Sequence, residues 1–185
     1  MRRSPGTTVD EPVELEITRM RRRHLKGVMA IERQVYPRPW SPNLFLSEMS
    51  ELRNRTYLVA KIEKEVVGYG GIMCYGEEAH VTTIAVDPAH HRRKIGTRLL
   101  HDLVQEAIRL GAQAVSLEVR VSNWGAQRLY SQFGFRPVGI RKNYYQETNE
   151  DAVIMWVDQI RTPEYRRRLD RLIDGVPGVV RSFEW

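Results

Sequence analysis

Residues 83–97 of the chain have the sequence TIAVDPAHHRRKIGT, and this stretch decides the fold. Its first four residues are β-branched or apolar, a composition typical of a strand. The strand must end at Asp87-Pro88, because proline cannot donate to a sheet ladder. After Gly96 the apolar residues recur at helical spacing, which predicts an amphipathic helix that ends near Leu110, with Gly111 as its stop. The predicted order is therefore strand, basic loop and helix.

The basic loop before this helix predicts a site for a phosphate group. The N–H groups of a helix's first turn point at an anion there, and the helix dipole adds about half a positive charge. Arg92, Arg93, Lys94 and Arg98 bring full charges to the same place. The spacing excludes a Walker loop, which ends in Gly-Lys-Ser/Thr, and also the G-x-G-x-x-G loop of dinucleotide-binding proteins. A solvated surface loop is the alternative interpretation.

The loop resembles motif A of the GNAT acetyltransferase superfamily, Q/R-x-x-G-x-G/A, which wraps the pyrophosphate of acetyl-CoA with backbone amides. The motif falls on residues 91–96, where Gly96 matches, whereas His91 and Lys94 replace the Gln/Arg and the first Gly. A lysine at position 94 can still offer its N–H if its φ angle is negative, although close approach is harder than for glycine. The resemblance implies that this segment binds acetyl-CoA. The implied contact residues are Arg92, Arg93, Lys94, Ile95, Gly96 and Thr97.

Four short phrases further along the chain extend the resemblance. They are LEVRVSN at 117–123, AQRLY at 126–130, QFGF at 132–135 and RKNYY at 141–145. In this order and spacing they resemble one block of the RimI branch, the bacterial N-terminal alanine acetyltransferases of ribosomal protein. The resemblance covers roughly residues 14–157. It implies an acetyl-CoA-dependent N-α-acetyltransferase that works by direct transfer in a ternary complex. The implied acceptor is the N-terminal Ala or Ser of a protein, for which a small-subunit ribosomal protein is a candidate.

The resemblance also implies the α/β (α+β) GNAT fold. Its sheet is mixed and mostly antiparallel, with about seven strands, flanking helices and a central parallel pair that splays apart at the acetyl-CoA site. Short polar turns predict an antiparallel meander up to the quoted strand, and the helix after it predicts that the next strand is parallel. The predicted strands are Val13–Ile17, Tyr57–Ile62, Val66–Tyr75, Ala79–Val86, Ala114–Val121, Arg136–Tyr145 and Ala152–Val157.

Local signals place further details on this outline. Gly68, Gly70 and Gly71 lie inside one predicted strand and indicate a bulge or a close backbone approach. Apolar periodicity predicts a first helix over Arg19–Val35. Ser41-Pro42 predicts the start of a second helix, as its N-cap and first residue.

The chain divides into three predicted segments. Residues 1–12 are a flexible tail, residues 13–158 the acetyltransferase domain and residues 159–185 a C-terminal extension. Thr162-Pro163 predicts the start of a short basic amphipathic helix in this extension. That helix either docks on the domain or presents a partner-binding surface, and both alternatives stay open.

Charge and composition restrict the partners and the cellular compartment that we expect for the protein. The 185 residues carry a net charge of +6, which suits an anionic cofactor, a ribosomal context or simple solubility. Aromatic residues do not alternate with the basic ones, so we expect no direct binding to nucleic acid. No apolar run approaches the ~20 residues of a membrane helix, and the N-terminus lacks the apolar region of a signal peptide. The single cysteine, Cys74, suits a reducing cytoplasm and is expected to pack inside a strand.

Acetyl transfer to an amine needs a general base, a general acid and a polarised carbonyl. The resemblance implies that Glu118 is the base. Its apolar neighbours predict a raised pKa, which suits a base near neutrality. The alternative is that Glu118 forms an ion pair with Arg120 on the same strand face.

The resemblance implies that Tyr130 is the acid, since a phenol with a pKa of about 10 suits protonation of a thiolate. The alternative is that Tyr130 is an ordinary core tyrosine. The histidines lack a supporting carboxylate or thiolate pattern, so we expect no metal site.

The resemblance implies further contacts with the cofactor near the base. Ile84, Ala85 and Val86 are apolar, so any role is confined to their main chain, which would bind pantetheine and polarise the thioester. Asn123 would bind the pantetheine arm. Nothing in the sequence indicates an oligomeric state.

Two walls of a peptide groove complete the implied site. Tyr36 and Trp40 belong to one wall, and Tyr144 and Tyr145 to the other. Trp40 has a second interpretation, as a hydrophobic staple on the following helix. A terminal α-amine has a pKa of about 8, against about 10 for lysine, so a weak base such as Glu118 deprotonates it more easily. Two rivals stay open: a GNAT enzyme acting on a lysine or small amine, and a non-catalytic acyl-CoA-binding or ribosome-associated module.

Overall fold

The computed structural model describes residues 14–51, 53–174 and 176, and the backbone of 180–182. The predicted tail, residues 1–12, lies outside the described residues. The strands are β1 (Leu15–Arg19), β2 (Arg55–Ile62), β3 (Glu65–Tyr75), β4 (Glu78–Val86), β5 (Ala114–Arg120), β6 (Arg136–Tyr145), β7 (Glu150–Val157) and β8 (Val180–Ser182). The α-helices are α1 (Leu25–Val35), α2 (Pro42–Ser50), α3 (Ile95–Arg109), α4 (Trp124–Gln132) and α5 (Pro163–Asp174).

The strands form one mixed sheet in the order β6-β7-β5-β4-β3-β2-β1-β8. The central pair β4 and β5 is parallel, and so is the edge pair β1 and β8. The other neighbours are antiparallel. The predicted GNAT sheet is therefore confirmed, with its seven strands at β1–β7. The short strand β8 is an addition at the edge, within the predicted C-terminal extension.

The first helix begins later than its apolar periodicity predicts. Arg19, the predicted first residue, is instead the last residue of β1 and pairs with Leu58. The next N–H group, that of Met20, donates to the carbonyl of Tyr57 at 2.8 Å. A 3-10 turn over Arg22–His24 then leads into α1. Pairing with β2 outweighs the helical spacing of these first residues.

Helices cover the sheet on both faces, as the alternation along β2 shows. Leu58 and Ala60 belong to the cluster under α3, whereas Tyr57 and Val59 belong to the cluster under α1 and α2. Each fully buried leucine of these clusters stabilises the fold by roughly 1.5–3 kcal/mol. The apolar side chains of α3 with no exposed surface are Leu99, Leu100, Leu103, Val104 and Ala107.

The glycines of β3 mark a close contact and a bulge. A Cβ atom on Gly71 would lie 2.3 Å from the ring of Tyr57, so only glycine fits there. The register of β3 on β4 shifts after Gly71, which leaves Thr82 of β4 as an extra residue. Both features predicted from these glycines are confirmed. A bulge bends its strand locally, and this one lies on β4 just after the residues that pair with β5.

The central parallel strands separate soon after they pair. β4 and β5 form a short ladder whose last pair is His80 with Ser116. Both strands continue beyond it, β4 as far as Val86 and β5 as far as Arg120. The predicted splayed pair is thus present, and it opens a gap in the middle of the sheet.

Helix α5 packs against the domain through its apolar face. Tyr165 and Leu169 are buried and belong to the same cluster as the inner side chains of α3. This packing favours docking over a partner-binding role for that face. The division between domain and extension at residues 158 and 159 stays a prediction.

Candidate active site

A cavity of about 500 Å³ lies between the separated ends of β4 and β5. Its walls come from the segment between α1 and α2, from both central strands, from α4 and from the end of β6. The structure therefore brings together residues that are far apart in sequence. The predicted site residues that line it are Tyr36, Trp40, Ile84, Glu118, Asn123, Tyr130, Tyr144 and Tyr145.

The other predicted residues lie outside this lining. Ala85 is buried in the cluster under α1, which agrees with a role confined to its main chain. Ile95 and Thr97 are also buried, so their side chains support α3. Val86 ends β4, the turn into α3 contains Arg92, Arg93 and Lys94, and Gly96 lies in the first turn of α3.

The turn into α3 contains two residues in the left-handed conformation. Lys94, the N-cap of α3, has a φ of 63°, and Arg92 has a φ of 67°. The condition of a negative φ at Lys94 is therefore not met. Glycine adopts this conformation without steric cost, whereas an L-residue is destabilised there by roughly 1–2 kcal/mol. The backbone thus keeps the shape that a glycine at this position of motif A would favour.

The chemistry of this turn fits the pyrophosphate of acetyl-CoA. No side chain caps the first N–H groups of α3, and its first turn contains no acidic residue. Arg92, Arg93 and Lys94 are exposed around these N–H groups. The ring Nε2 of His91 lies 3.1 Å from the carbonyl oxygen of Val86 and ties the turn to the end of β4. Unpaired N–H groups with nearby cations form an anion site.

Glu118 projects from β5 into the gap, just beyond the last pair of the parallel ladder. Its side chain is only 9% exposed. Oε2 lies 3.0 Å from Nε2 of His80, and Oε1 lies 3.2 Å from Nε of Arg141. The hydrogen bond with His80 lowers the pKa of Glu118, burial opposes this effect, and the Arg141 charge adds to the lowering. The expected raised pKa is therefore wrong, because two neighbours outweigh burial.

The alternative partner of Glu118, Arg120, is engaged elsewhere. Its Nη2 lies 2.7 Å from Oε1 of Glu147, and its Nη1 lies 3.3 Å from Oε2 of Glu150. Its guanidinium also covers the ring of Tyr145, 3.9 Å from the centroid. Arg120 therefore fixes the connection between β6 and β7 and is not the ion-pair partner predicted for Glu118.

His80 and Arg141 are site residues that the sequence analysis missed. Nδ1 of His80 lies 2.9 Å from Oγ of Ser116, its partner in the ladder, so the ring is held on both sides. Ser116 and Glu118 lie on the same face of β5, so a residue of β4 that pairs with Ser116 can reach Glu118. The sequence does not show that this residue is His80, because the register of β4 on β5 is not known from it. Arg141 lies in the RKNYY phrase, but its contact depends on the pairing of β6 with β7.

Tyr130 lines the cavity and is also part of the core. It is 5% exposed, and its ring packs against Phe135 with 6.0 Å between centroids. Burial raises the pKa of Tyr130, so its hydroxyl stays protonated at neutral pH. Asn123 begins the same helix, and its Oδ1 accepts the N–H of Ala126 at 3.1 Å. The predicted N-cap is confirmed.

A buried carboxylate holds the first wall of the groove. Glu32 of α1 accepts the N–H of Trp40 at 2.7 Å and the hydroxyl of Tyr69. Burial raises the pKa of Glu32, and these two hydrogen bonds oppose the rise. Tyr36 donates its hydroxyl to the carbonyl of Ile84 on β4 at 3.1 Å. The wall is therefore anchored to both α1 and the splayed strand.

Trp40 also acts as the predicted staple on α2. Its ring centroid lies 5.2 Å from that of Phe45 in the first turns of the helix. The predicted N-cap between them is confirmed, because Oγ of Ser41 accepts the N–H of Leu44 at 3.1 Å. The two interpretations of Trp40 are compatible, since it lines the cavity as well.

The second wall consists of two tyrosines in edge-to-face contact. The ring centroids of Tyr144 and Tyr145 are 5.1 Å apart. Tyr145 donates its hydroxyl to the main-chain carbonyl of Glu118 at 3.5 Å, while Tyr144 is 47% exposed. The guanidinium carbon of Arg141 lies 5.6 Å from the Tyr144 centroid. This wall thus carries one anchored ring and one accessible ring.

Three other predictions concern metal, membrane and thiol chemistry. Within residues 14–174, apart from residue 52, no three His, Cys, Asp or Glu side chains gather to hold a metal ion. No helix of the described chain combines the length and hydropathy that a membrane span requires. Burial raises the pKa of the Cys74 thiol to about 11, and the residue packs in the main core as predicted.

The family model of the GNAT acetyltransferases matches residues 25–135. The chain belongs to this family. GNAT acetyltransferases use acetyl-CoA, so membership of this family confirms the predicted cosubstrate. The cavity and the anion site therefore belong to an acetyltransferase domain.

Curated relatives of this GNAT chain include N-terminal acetyltransferases. The ribosomal protein bS18-alanine N-acetyltransferase of Escherichia coli K12 is 35% identical over 135 residues, which cover 71% of this chain and 88% of the relative. The N-alpha-acetyltransferase RimI of Mycobacterium tuberculosis is 40% identical over 121 residues, which cover 63% of this chain and 74% of the relative. The resemblance to the RimI branch is confirmed.

Solved structures agree with the fold. The ribosomal-protein-S18-alanine N-acetyltransferase of Escherichia coli superposes with a TM-score of 0.71 at 31% identity, covering 78% of this chain and 94% of the other. Ard1 of Thermoplasma volcanium superposes with a TM-score of 0.73 at 25% identity, covering 79% and 98%.

Proposed function

We propose that the chain is an N-α-acetyltransferase of the RimI type. It transfers the acetyl group of acetyl-CoA to the N-terminal Ala or Ser of a protein, with a small-subunit ribosomal protein as the acceptor. The observation that carries the proposal is a single cavity lined by both Glu118 and Tyr130 in a chain of the GNAT family. Relatives named for bS18 alanine and for N-alpha-acetylation support the acceptor class. We place the reaction in the cytoplasm, where new ribosomal proteins are made.

The proposed cofactor site uses main chain and positive charge. When bound, acetyl-CoA supplies a thioester that is already activated for attack. The uncapped start of α3 and the cations Arg92 and Arg93 would hold its pyrophosphate. The splayed edge of β4 over residues 84–86, which has no strand partner on the side of the gap, would hold the pantetheine arm together with Asn123. An N–H group of that edge would polarise the thioester carbonyl.

Glu118 is the proposed general base. Its lowered pKa keeps the carboxylate ionised at neutral pH, so it attracts the positively charged α-amine of the acceptor. The same lowering weakens it as a base, which favours an α-amine with a pKa of about 8 over a lysine amine with a pKa of about 10. One proton passes from the ammonium nitrogen to Glu118 before attack, which frees the lone pair that forms the C–N bond, and the nitrogen releases a second proton as the amide forms.

Tyr130 is the proposed general acid. Because burial raises the pKa of Tyr130, its hydroxyl remains a proton donor throughout the neutral range. It would donate toward the thiolate that leaves when the C–S bond breaks. Glu118 reaches the cavity from β5 and Tyr130 from α4, so the acceptor amine and the leaving thiolate can each contact their proton-transfer residue in one ternary complex.

The experiment measures acetyl-CoA turnover with short peptides. One series begins with Ala, Ser or Met, and a matched series is blocked at its N-terminus and carries an internal lysine. We expect acetylation of the free Ala and Ser ends. Glu118→Gln and Tyr130→Phe should each reduce kcat/KM by roughly 10²–10⁴-fold. The matched controls Glu51→Gln and Tyr75→Phe change exposed residues away from the cavity lining and should not.

The same assay separates the rival functions. Acetylation of internal lysine in the blocked peptides would assign the chain to ε-amine transfer. Tight binding of acetyl-CoA without turnover on any amine would favour the non-catalytic module. Full turnover in Glu118→Gln would reject the proposed base while leaving the acetyltransferase assignment in place.

A further inference from the structure

The base carboxylate has two partners of different character. His80 contacts Oε2 at 3.0 Å, lines the cavity and is itself held by Ser116. Arg141 contacts Oε1 at 3.2 Å from the other side, and its side chain is 55% exposed. It reaches Glu118 from β6 and does not line the cavity. One partner is therefore fixed within the fold, whereas the other can move into solvent.

We infer that Arg141 occupies the place of the acceptor's α-ammonium in the free enzyme and is displaced when the acceptor binds. The inference rests on the proposed role of Glu118 as the base. Arg141 is then a specificity-determining residue, because only an acceptor with a free, positively charged amine can take over its contact.

Charge is the first argument for displacement. The α-amine of a peptide has a pKa of about 8, so at neutral pH it arrives mainly as a cation. An ammonium and a guanidinium at Oε1 of Glu118 would repel each other at close range in a partly buried site. His80 already holds Oε2. The acceptor therefore gains most from Glu118 when Arg141 gives up its contact.

The second argument is that the Arg141 guanidinium has an alternative favourable position close by. Its guanidinium carbon lies 5.6 Å from the centroid of the Tyr144 ring, within the range of a cation–π contact. Tyr144 is itself 47% exposed. A small rotation away from Glu118 can therefore keep the guanidinium over this ring or in water, so the exchange leaves no buried charge without a partner.

The exchange also links acceptor binding to the strength of the base. The Arg141 charge is one cause of the lowered pKa of Glu118, so its departure raises the proton affinity of the carboxylate when the ammonium must be deprotonated. The other titratable groups that face Glu118 are His80 from β4 and Tyr144 and Tyr145 from β6. These groups need not move.

The test compares Arg141→Gln with Lys142→Gln. Lys142 is the next residue of β6, its side chain is 82% exposed, and its ion pair is with Asp151, so its loss is a matched change of charge away from Glu118. Initial rates are measured against an Ala-initiated peptide at saturating acetyl-CoA. We expect the peptide KM of Arg141→Gln to fall roughly two- to fivefold, the range set by a half-exposed ion pair. The acid limb of kcat/KM should move to higher pH, whereas Lys142→Gln should show neither effect.

A peptide KM that stays the same or rises in Arg141→Gln would overturn the inference, since Arg141 would then be structural or would bind the acceptor itself. The fall in peptide KM should disappear in the Glu118→Gln background, so the double variant Glu118→Gln/Arg141→Gln should have the same peptide KM as Glu118→Gln. Turnover in Glu118→Gln alone tests the proposed base separately. If that variant loses activity and the KM of Arg141→Gln does not fall, the inference fails and the proposed function stands.

Discussion

The proposed cofactor loop, residues 87–97, differs in construction from the proposed acceptor groove, which is walled by Tyr36, Trp40, Tyr144 and Tyr145. The loop is one continuous stretch whose helix start has no side-chain cap, with exposed cations around it. The groove is assembled from segments that are far apart in sequence, and hydrogen bonds and ion pairs across the sheet hold it together. The loop offers unsatisfied donors to a ligand, whereas the groove has satisfied most of its own.

This difference predicts where a substitution is costly. In the groove most polar groups have a protein partner, so removing one group leaves its partner unsatisfied, which lowers stability. In the loop the donors already face outward, so a change acts through charge and backbone conformation and costs little stability. The three predictions below test this contrast in order of decreasing effect.

Glu32→Ala should give the largest loss of stability. It removes the common acceptor of the Trp40 N–H and the Tyr69 hydroxyl, and losing an acceptor for buried donors costs about 1–3 kcal/mol each. We expect the free energy of unfolding to fall by about 2–3 kcal/mol in urea titrations, near the low end of the sum for two donors because Trp40 is only half-buried. Because Trp40 belongs to the acceptor wall, the peptide KM should rise while the acetyl-CoA KM stays unchanged.

Two further variants sharpen this prediction. Glu32→Gln keeps one acceptor oxygen and should fall between Glu32→Ala and the unmodified protein in both measurements. Glu51→Ala removes an exposed glutamate just after α2 and should change neither. An equal rise in both KM values for Glu32→Ala would contradict the separation between the loop and the groove.

The same contrast explains what could be predicted from the sequence. The loop, its helix and the caps at Ser41 and Asn123 depend on neighbours within a few residues, and these were predicted correctly. The resemblance to the RimI branch named the residues of the proposed groove, and the structure places them around one cavity. Their partners were not, because the contacts of Glu118 with His80 and Arg141 depend on the registers of β4, β5, β6 and β7.

Two expectations that the structure does not meet have physical causes of the same kind. The pKa of Glu118 was expected to rise because only its apolar neighbours along the strand were visible, and these are not its contacts in space. A negative φ was the condition under which Lys94 could offer its N–H. The turn into α3 instead requires the left-handed conformation, whichever residue occupies the position. Residue type misleads where tertiary structure or turn geometry decides.

His80→Ala should have an intermediate effect, on catalysis rather than on folding. It removes the hydrogen bond that contributes most to the lowered pKa of Glu118, so that pKa rises. Because the base must be ionised to accept a proton, activity is then lost at a higher pH than before, and the acid limb of kcat/KM moves up. Loss of the fixed contact to Oε2 should also lower kcat about tenfold through poorer positioning.

His80→Gln and His101→Gln are the controls for this variant. An amide at position 80 keeps an N–H donor for the carboxylate, so the acid limb should move less than in His80→Ala. His101 lies on α3 beside Asp102, away from the cavity lining, and its substitution should leave the acid limb in place. An acid limb that does not move in His80→Ala would show that His80 does not govern the ionisation of the base.

Lys94→Gly should have the smallest effect and the opposite sign. Lys94 has a φ of 63°, and glycine adopts this conformation without the steric cost of a Cβ atom. We expect the free energy of unfolding to rise by about 1 kcal/mol, less than the full left-handed penalty because glycine also gives the unfolded chain more conformational freedom.

Lys94→Ala is the control, because it loses the same charge but keeps the Cβ atom, so its free energy of unfolding should not rise. Since both variants lose the charge, a lower acetyl-CoA KM in Lys94→Gly than in Lys94→Ala would measure how much closer the backbone comes to the pyrophosphate. A Lys94→Gly variant less stable than Lys94→Ala would show that the turn is not strained and that the loop, like the groove, depends on its side chains.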